Sequence, residues 1–208
     1  NKFFKIVGKT ISKQQITIVK EKAPLLSIII PVYGKLEYLK RCLYSIGLAK
    51  SNVKYEVIIV DDCGPEKVID ELKNLTASIT IHTNSENIGF GNSCNKGAEL
   101  AKGKFLCFLN SDTIVTDNWS DHLINSFSLA DNVGIAGSKL IYEDGSIQEA
   151  GGIVFSDGGA ANIGNKLQAD NSWYKYYKDV DYVSGAALCL LKEDFNQLSG
   201  FDRIFSPA

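Results

Sequence analysis

An amide, a hydroxyl and an acid, Asn110-Ser111-Asp112, follow directly on an apolar run over residues 104–109. The run reads as a strand, so these three polar side chains stand where it ends. In an open α/β sheet, ligands collect outside the carboxyl ends of the strands. A carboxylate there suits Mg²⁺ or Mn²⁺, hard cations that take oxygen ligands and share them with substrate phosphates. Taken alone, the same residues also suit an ordinary strand-to-loop turn.

Two other strand ends carry chemistry. Residues 25–31 are continuously apolar and end at Pro31-Val32-Tyr33-Gly34. Pro31 has no N–H, so the ladder is expected to stop there. Tyr33 then offers a ring for a flat ligand, or simply a lid on the core. Residues 55–60 run into Asp61-Asp62-Cys63-Gly64. Adjacent acids on a strand point to opposite faces, so at most one of them faces a given site. An Asp here can accept an imide N–H such as that of uracil or thymine, or cap the helix expected near Pro65. A third stretch runs from Asn87 through Gly89, Gly91, Asn92 and Asn95 to Gly97. It holds G-x-G but has Cys94 where a dinucleotide fingerprint needs its third glycine, and it follows the third strand rather than the first. Glycines opening a helix there let backbone approach a ligand, and a helix N-terminus favours phosphate.

The elements that must position these residues alternate. Strands are predicted over 25–31, 55–60, 79–81, 104–109 and 133–136, with helices over 35–49, from Val68, Ile69, Leu72 and Leu75, over 89–101 and over 117–130. Apolar residues at helical spacing, such as Leu36, Leu39, Leu43 and Ile46, carry the helix predictions. Strand–helix alternation of this length implies a mostly parallel α/β sheet flanked by helices. After residue 138 the pattern changes. A turn at 142–146 and glycines 151, 152, 158, 159 and 164 make a loop-rich half, followed by a long apolar strand over 180–191 and a short helix over 193–198. Residues 1–24 read as an arm or linker, with a short edge strand at 16–19, that precedes a domain over 25–208 rather than building its core.

Composition narrows the classes. Hydrophobic residues are 45% and charged residues 22% of 208, an ordinary globular balance. A net charge of −2 leaves no footprint for nucleic acid. Cys42, Cys63, Cys94, Cys107 and Cys189 are scattered singly, which excludes zinc spacing and fits reduced thiols in the cytoplasm. The apolar runs are far too short to span a bilayer. His82 and His122 stand alone and read as surface or packing residues. Glu149 and Asp181 fall in the acceptor-side half, where either is a candidate base, and they read better as solvated surface acids. The chain begins at Asn1, contains no Met and stops at Ala208 without a helix stop, which reads as a fragment.

Together these stretches resemble the family-two glycosyltransferases and their Rossmann-like GT-A fold. The residues that carry the likeness are Ser27-Ile28-Ile29-Ile30-Pro31-Val32-Tyr33, Val60-Asp61-Asp62, Asn87-x-Gly89-x(5)-Asn95-x-Gly97 and Leu109-Asn110-Ser111-Asp112. Gly151-Gly152, Val183-Ser184-Gly185-Ala186 and Gly200-Phe201-Asp202 look like the family's acceptor-side half. The likeness covers residues 25–208. It implies a nucleotide site of Pro31, Val32, Tyr33, Gly34, Asp62, Asn87, Gly89, Asn92, Asn95, Asn110 and Ser111. Tyr33 lies against the base and Asp62 accepts its imide N–H. Asp112, last in a D-x-D element whose first acid is here Asn110, binds Mn²⁺ or Mg²⁺. Ser184, Gly185 and Ala186 line the sugar pocket. Many members carry Arg where this chain has Cys94, and members without it include many rhamnosyltransferases, which use a thymidine nucleotide.

The implied reaction is inverting transfer of a sugar from a nucleotide-diphospho-sugar to a hydroxyl on a glycan or lipid-linked acceptor, in polysaccharide synthesis. Such acceptors allow the full-length protein to work peripherally at a membrane's inner face. The family's catalytic base follows a Gly-Phe-Asp-x-x-Phe segment, present here at 200–205, so it is expected beyond Ala208. Two alternatives share the sheet. One is a sugar nucleotidylyltransferase, which needs a Gly-rich loop with Arg after the first strand. The other is a binding module without activity in this fragment.

Overall fold

The structure, a computed structural model, describes residues 3–72, 75 and 78–206, without the side chains of Phe4, Ile69 and Phe205. Ile69 of the expected second helix and Phe205, Pro207 and Ala208 at the end of the sequence thus lie outside the described side chains or residues.

The first strand, β1 (Leu26–Val32), is buried along its whole length. Its alternation sends Leu26, Ile28, Ile30 and Val32 into one cluster with Leu39, Leu43 and Ile46 of α1 (Leu36–Leu48). Ile29 faces the opposite cluster, with Cys94 and Ala98 of α3 (Phe90–Leu100). A strand covered on both faces must be nearly all apolar, and this one is but for Ser27, whose buried hydroxyl donates to Glu56 Oε1 at 2.7 Å. The remaining elements in order are β2 (Tyr55–Asp61), α2 (Val68–Leu72), β3 (Thr80–Thr83), β4 (Phe105–Leu109), α4 (Trp119–Ser126), β5 (Ile135–Gly137), β6 (Leu140–Ile141), β7 (Ile147–Glu149), β8 (Gly152–Val154), β9 (Ala160–Asn162), β10 (Ala187–Leu191) and α5 (Lys192–Gln197).

Six strands form the central sheet in the order β3-β2-β1-β4-β10-β5. β1 is parallel to β2 and β4, and β2 to β3. β10 runs antiparallel to both β4 and β5. The mostly parallel sheet flanked by helices is therefore as expected. Strand order reverses between β1 and β4, so the crevice outside their carboxyl ends is the topological switch point. The loop-rich half adds two antiparallel pairs, β6 with β7 and β8 with β9.

Several boundaries differ from the sequence reading, each for a local reason. Pro31 does not end the ladder: pairing with β2 continues through Pro31 and Val60 to Val32 and Asp61. Pairing with β4 stops earlier, at Ile29 and Phe108, so the missing N–H falls where no partner strand remains. The expected long strand at 180–191 is strand only from Ala187, because Ser184 O accepts the Ala187 N–H and Ser184 Oγ the Ala186 N–H. The fourth helix ends at Ser126, and Phe127, Ser128 and Leu129 donate three residues back as a tightened final turn.

The arm is the largest difference. Residues 16–19 form no strand, and a 3₁₀ turn at Lys13–Gln15 precedes them. Ile11, Ile16 and Ile18 are buried in the same cluster as α1, so the arm builds core rather than merely preceding it. Gly47 explains how it fits: a Cβ there would meet Thr17 O at 2.1 Å, so only glycine lets the arm's backbone lie on α1.

Candidate functional site

The site is assembled from loops at the carboxyl ends of β1, β2 and β4 and from the segment that enters β10. At the end of β1, Tyr33 is 58% exposed, a large ring left in solvent. Pro31 and Val32 are buried within the strand, and Val32 O accepts the Asp62 N–H at 2.8 Å. The Asp61-to-Gly64 turn lies directly against this end. A Cβ on Gly64 would sit 2.5 Å from Gly34 N, so the β1 and β2 loops touch through backbone. Lys35, just after the β1 loop, and Cys63, within the β2 turn, take left-handed φ values of 55° and 57°. That conformation is costly for a residue with a Cβ, and here two tight turns impose it.

The paired acids divide their work. Asp61 Oδ1 accepts the Gly64 N–H at 3.2 Å, which closes its own turn. Burial pushes the Asp61 carboxyl above its ordinary range, and the neighbouring charge of Asp62 adds to the rise while the Gly64 N–H opposes it. Neither acid caps α2, which starts only at Val68. Asp62 reaches to the third motif instead. Its Oδ1 accepts from Asn84 Nδ2 at 2.8 Å and from Ile88 N at 2.9 Å, and its Oδ2 accepts from Gly89 N at 2.9 Å. A buried carboxylate is thus matched by three N–H donors and ties the end of β2 to the turn that opens α3. It fills the place at these amides that the sequence offered to a phosphate, and one lone pair remains on Oδ2.

The asparagines of the third motif are engaged within the protein. Asn87 Oδ1 accepts the Gly89 N–H at 3.0 Å. Asn92 Nδ2 donates to Ile88 O at 2.7 Å and to Ser206 Oγ at 3.2 Å. Asn95 binds the backbone of Phe201 through both ends of its amide, donating to Phe201 O at 2.9 Å and accepting from Phe201 N at 2.8 Å. Phe201 thereby packs on Phe108 and Phe195, with centroids 5.1 and 5.5 Å away.

At the end of β4, Asn110 N donates to Ala186 O at 2.9 Å, which joins this loop to the segment entering β10. Asn110 O accepts from Thr113 N and Oγ1, a tight turn that leaves Asp112 exposed and Asn110 and Ser111 half-buried. Behind the turn lies Cys42, whose thiol is pushed up to about 12 by burial, with the nearby charge of Asp112 also raising it. Ser184, Gly185 and Ala186 are half-buried alongside, and Gly185 has the Phe90 ring on its open side.

A divalent cation fits this arrangement in one way. Among the described residues no cluster of three or more His, Cys, Asp or Glu could hold a metal unaided. Asp112 offers a single open carboxylate, the donor set of Mg²⁺ and Mn²⁺ sites completed by substrate phosphates and water.

Some site residues escaped the sequence reading. Glu149 is not a solvated acid: it is 4% exposed, and its Oε1 accepts the Ser184 N–H at 2.7 Å. Asn84 is a buried amide that donates to both Asp62 and Ser93. Neither carries a local signal, because what engages each is a partner 35 or 22 residues away. Asp181 is exposed, as expected of it, though its carboxylate also accepts the Val154 N–H. His122 is exposed and meets Tyr177 Oη at 3.4 Å, and His82 lies in β3. Of two clefts, one lies far from these loops and one against the start of α3. One of about 460 Å³ is lined by Lys20, Glu21 and the start of β3, at the opposite ends of the strands. One of about 230 Å³ lies between Phe90, Asn92, Phe201 and Arg203.

Comparison with known proteins gives a consistent picture. The chain is 25% identical over 192 residues to the uncharacterized protein y4gI of Sinorhizobium fredii, covering 88% of this chain and 21% of that protein. It is 33% identical over 99 residues to the putative teichuronic acid biosynthesis glycosyltransferase TuaG of Bacillus subtilis, covering 46% of this chain and 37% of that one. The chain thus spans well under half the length of these curated relatives. Among solved structures it is similar in fold to the mannosyltransferase PcManGT from Pyrobaculum calidifontis in complex with GDP-Man and Mn²⁺. That likeness has a TM-score of 0.61 at 12% identity and covers 97% of this chain and 53% of that one. It is similar also to GalNAc-T7 with UDP, GalNAc and Mn²⁺, with a TM-score of 0.58 at 18% identity, covering 88% of this chain and 38% of that one. At these identities the likeness speaks for the fold. The family model described as "Glycosyl transferase family 2" matches residues 27–188. That match runs from β1 into β10 and takes in every loop at the switch point, and the chain therefore belongs to glycosyl transferase family 2.

Proposed function

We propose that this chain holds the donor end of a metal-dependent, inverting glycosyltransferase that moves a sugar from a nucleoside diphosphate to an acceptor hydroxyl. The observation that carries the reading is Asp112, an exposed carboxylate at the end of β4 beside the switch point, in a chain of this family. The Tyr33 ring gives the base a face to stack on, and the remaining lone pair of Asp62 Oδ2 accepts its imide N–H. Asn110 and Ser111 lie where the ribose and diphosphate pass. Ser184, Gly185 and Ala186, held by Glu149 and by Asn110, line the sugar. When bound at Asp112, Mn²⁺ or Mg²⁺ offsets the charge that develops on the leaving diphosphate. In the single displacement the acceptor oxygen bonds to the anomeric carbon as the bond to the diphosphate breaks, and the hydroxyl proton passes to a carboxylate base.

The engaged amides of Asn92 and Asn95 fit positioning roles in this scheme, holding the start of α3 and the 200–202 segment around the sugar. Cys94, buried at the position where many members carry Arg, favours the thymidine-nucleotide subgroup. The test is a thermal-shift panel of UDP, dTDP, GDP and CDP, each with and without Mn²⁺. A cognate nucleotide at a hundred times its dissociation constant stabilises the fold by about 2.7 kcal/mol. Mn²⁺ alone is expected to shift nothing, and Asp112→Asn to remove the metal's contribution. No metal-dependent shift with any of the four nucleotides overturns the reading.

A further inference from the structure

Glu149 is an acid buried with half of its carboxyl group unmatched. It is 4% exposed, and among the described residues no cation pairs with it. Its Oε1 accepts the Ser184 N–H at 2.7 Å. Its Oε2 accepts nothing among the described residues, yet it is not sealed in the way that Glu37 Oε2 is. The small exposure left to Glu149 therefore includes Oε2. Burying a carboxylate is costly unless donors match it, so an oxygen of this kind calls for a donor from outside the chain.

Local packing fixes where this oxygen stands. Alternation along β7 turns Ile147 and Glu149 inward and leaves Gln148 in solvent. Just beyond, a Cβ on Gly151 would collide with Val180 and one on Gly152 with the Tyr182 ring, so the segment before Ser184 lies flush on the end of β7. Gly152 N donates to Tyr182 O at 2.9 Å and Asp181 N to Gly152 O at 3.0 Å, which sets the register of this contact. Ser184 then closes its own turn, its Oγ accepting the Ala186 N–H at 3.2 Å. Ala186 O in turn accepts the Asn110 N–H at 2.9 Å, two residues before Asp112. Glu149 thus stands on the same short turn that joins the Asp112 loop to β10.

We infer, on the donor-site reading above, that Glu149 reads the donor sugar: Oε1 holds the Ser184 turn while Oε2 accepts a hydroxyl of the sugar that this turn lines. A sugar hydroxyl supplies what the oxygen lacks. It is a neutral O–H donor, and its bond to a carboxylate is short and strong. Phosphate carries the wrong sign for this place. A metal ion finds no cluster of three or more ligating side chains among the described residues. A site that hydrogen-bonds a substrate hydroxyl rejects the analogue lacking it far more sharply than an apolar pocket does, because the protein's polar group is then left unpaired. Glu149 is therefore a specificity-determining residue, and it acts on the sugar rather than on the nucleotide.

Glu149→Gln separates the work of the two oxygens. The Ser184 N–H still finds an acceptor, which turns the amide NH₂ towards the sugar, a donor where an acceptor stood. Calorimetry with Mn²⁺ gives dissociation constants for UDP and UDP-glucose, dTDP and dTDP-rhamnose, and GDP and GDP-mannose in parent and variant. For the pair that the parent binds, the ratio of the sugar-nucleotide constant to the diphosphate constant is expected to rise about 10- to 100-fold in the variant, with the diphosphate constant unchanged. The ratio is taken within one protein, so a general loss of stability cancels. An unchanged ratio overturns the inference and leaves Oε2 to water. Equal weakening of both ligands overturns it too and assigns Glu149 to the fold alone. Glu149→Ala removes both bonds, so it should raise the ratio and also lower the melting temperature. A ratio raised by alanine but not by glutamine places the effect in the Ser184 turn and overturns the contact. Failure of every diphosphate to bind brings down the donor-site reading and this inference with it, whereas diphosphate binding with an unchanged ratio brings down this inference alone.

Discussion

Asn95 and Phe201, 106 residues apart, are joined through both ends of the asparagine amide, at 2.9 and 2.8 Å. The pairing locks the middle of α3 to the segment behind α5, and so fixes the two sides of the site against each other. Asn95→Ala leaves a backbone donor and a backbone acceptor without partners. It is expected to cost about 1–3 kcal/mol in denaturant unfolding. Asn95→Asp keeps the acceptor for Phe201 N and loses the donor to Phe201 O, so it should fall between. An alanine variant as stable as the parent means that the clamp holds nothing.

Asp62 does the same for the turn before α3. Asp62→Ala strands the Ile88 N–H and one N–H of the Asn84 amide and leaves the Gly89 N–H only Asn87 Oδ1, and Asp62→Asn points an amide donor at one of the backbone N–H groups. Both variants are expected to lose about 2–3 kcal/mol, with the alanine the larger loss. Native-state hydrogen exchange reads the cause directly. The Ile88 and Gly89 amides, slow in the parent, should both exchange faster in the alanine variant, Ile88 the more so because Gly89 keeps Asn87 Oδ1. Retained protection at both amides would refute the assignment.

Asp61 gives a pH dependence of known sign. Burial holds its folded carboxyl above the ordinary value of 3.8, with Asp62 adding to the rise. Between the unfolded and the raised folded value the native state binds more protons, so stability falls as pH rises through that window. Above the window the charged form carries a constant penalty. Asp61→Asn removes that penalty and can still accept the Gly64 N–H. It should therefore melt higher than the parent at pH 7, with the advantage shrinking as pH falls through that window and gone below the unfolded value of 3.8. A lower melting temperature at pH 7 would show that the charge is needed where it stands.

Cys63 provides a reporter at the site. Of five cysteines it alone is exposed. Burial pushes the thiols of Cys42 and Cys189 up to about 12 and raises those of Cys94 and Cys107 as well. A thiol reagent is expected to titrate one cysteine in the native chain and five after denaturation. Cys63 adjoins Asp62, so a nucleoside diphosphate bound with Mn²⁺ should slow the native reaction severalfold. An unaltered rate with a nucleotide that shifts the melting curve would move the base away from the β2 end.

The sequence by itself determined the sheet and its functional edge. Largely apolar strands at 25–31, 55–60 and 104–109 have to be covered on both faces, and that requirement, with helical spacing between them, dictates a parallel α/β arrangement. The carboxyl ends of those strands are then the polar loops, and Asp112 is legible there as an exposed acid. What the tertiary structure alone decided is where side chains of like chemistry turn. Asp61 and Asp62 are neighbours in sequence, yet one closes its own turn and the other reaches Ile88 and Gly89. Asn95 shares a motif with Asn87 but binds Phe201. Glu149 is indistinguishable in composition from a solvated acid until Ser184 N arrives at 2.7 Å. The isoleucines of the arm pattern as a strand, and Gly47 makes them core. In each case the deciding contact is long-range, and a hydrogen bond or a close approach across the fold leaves no periodicity in the chain.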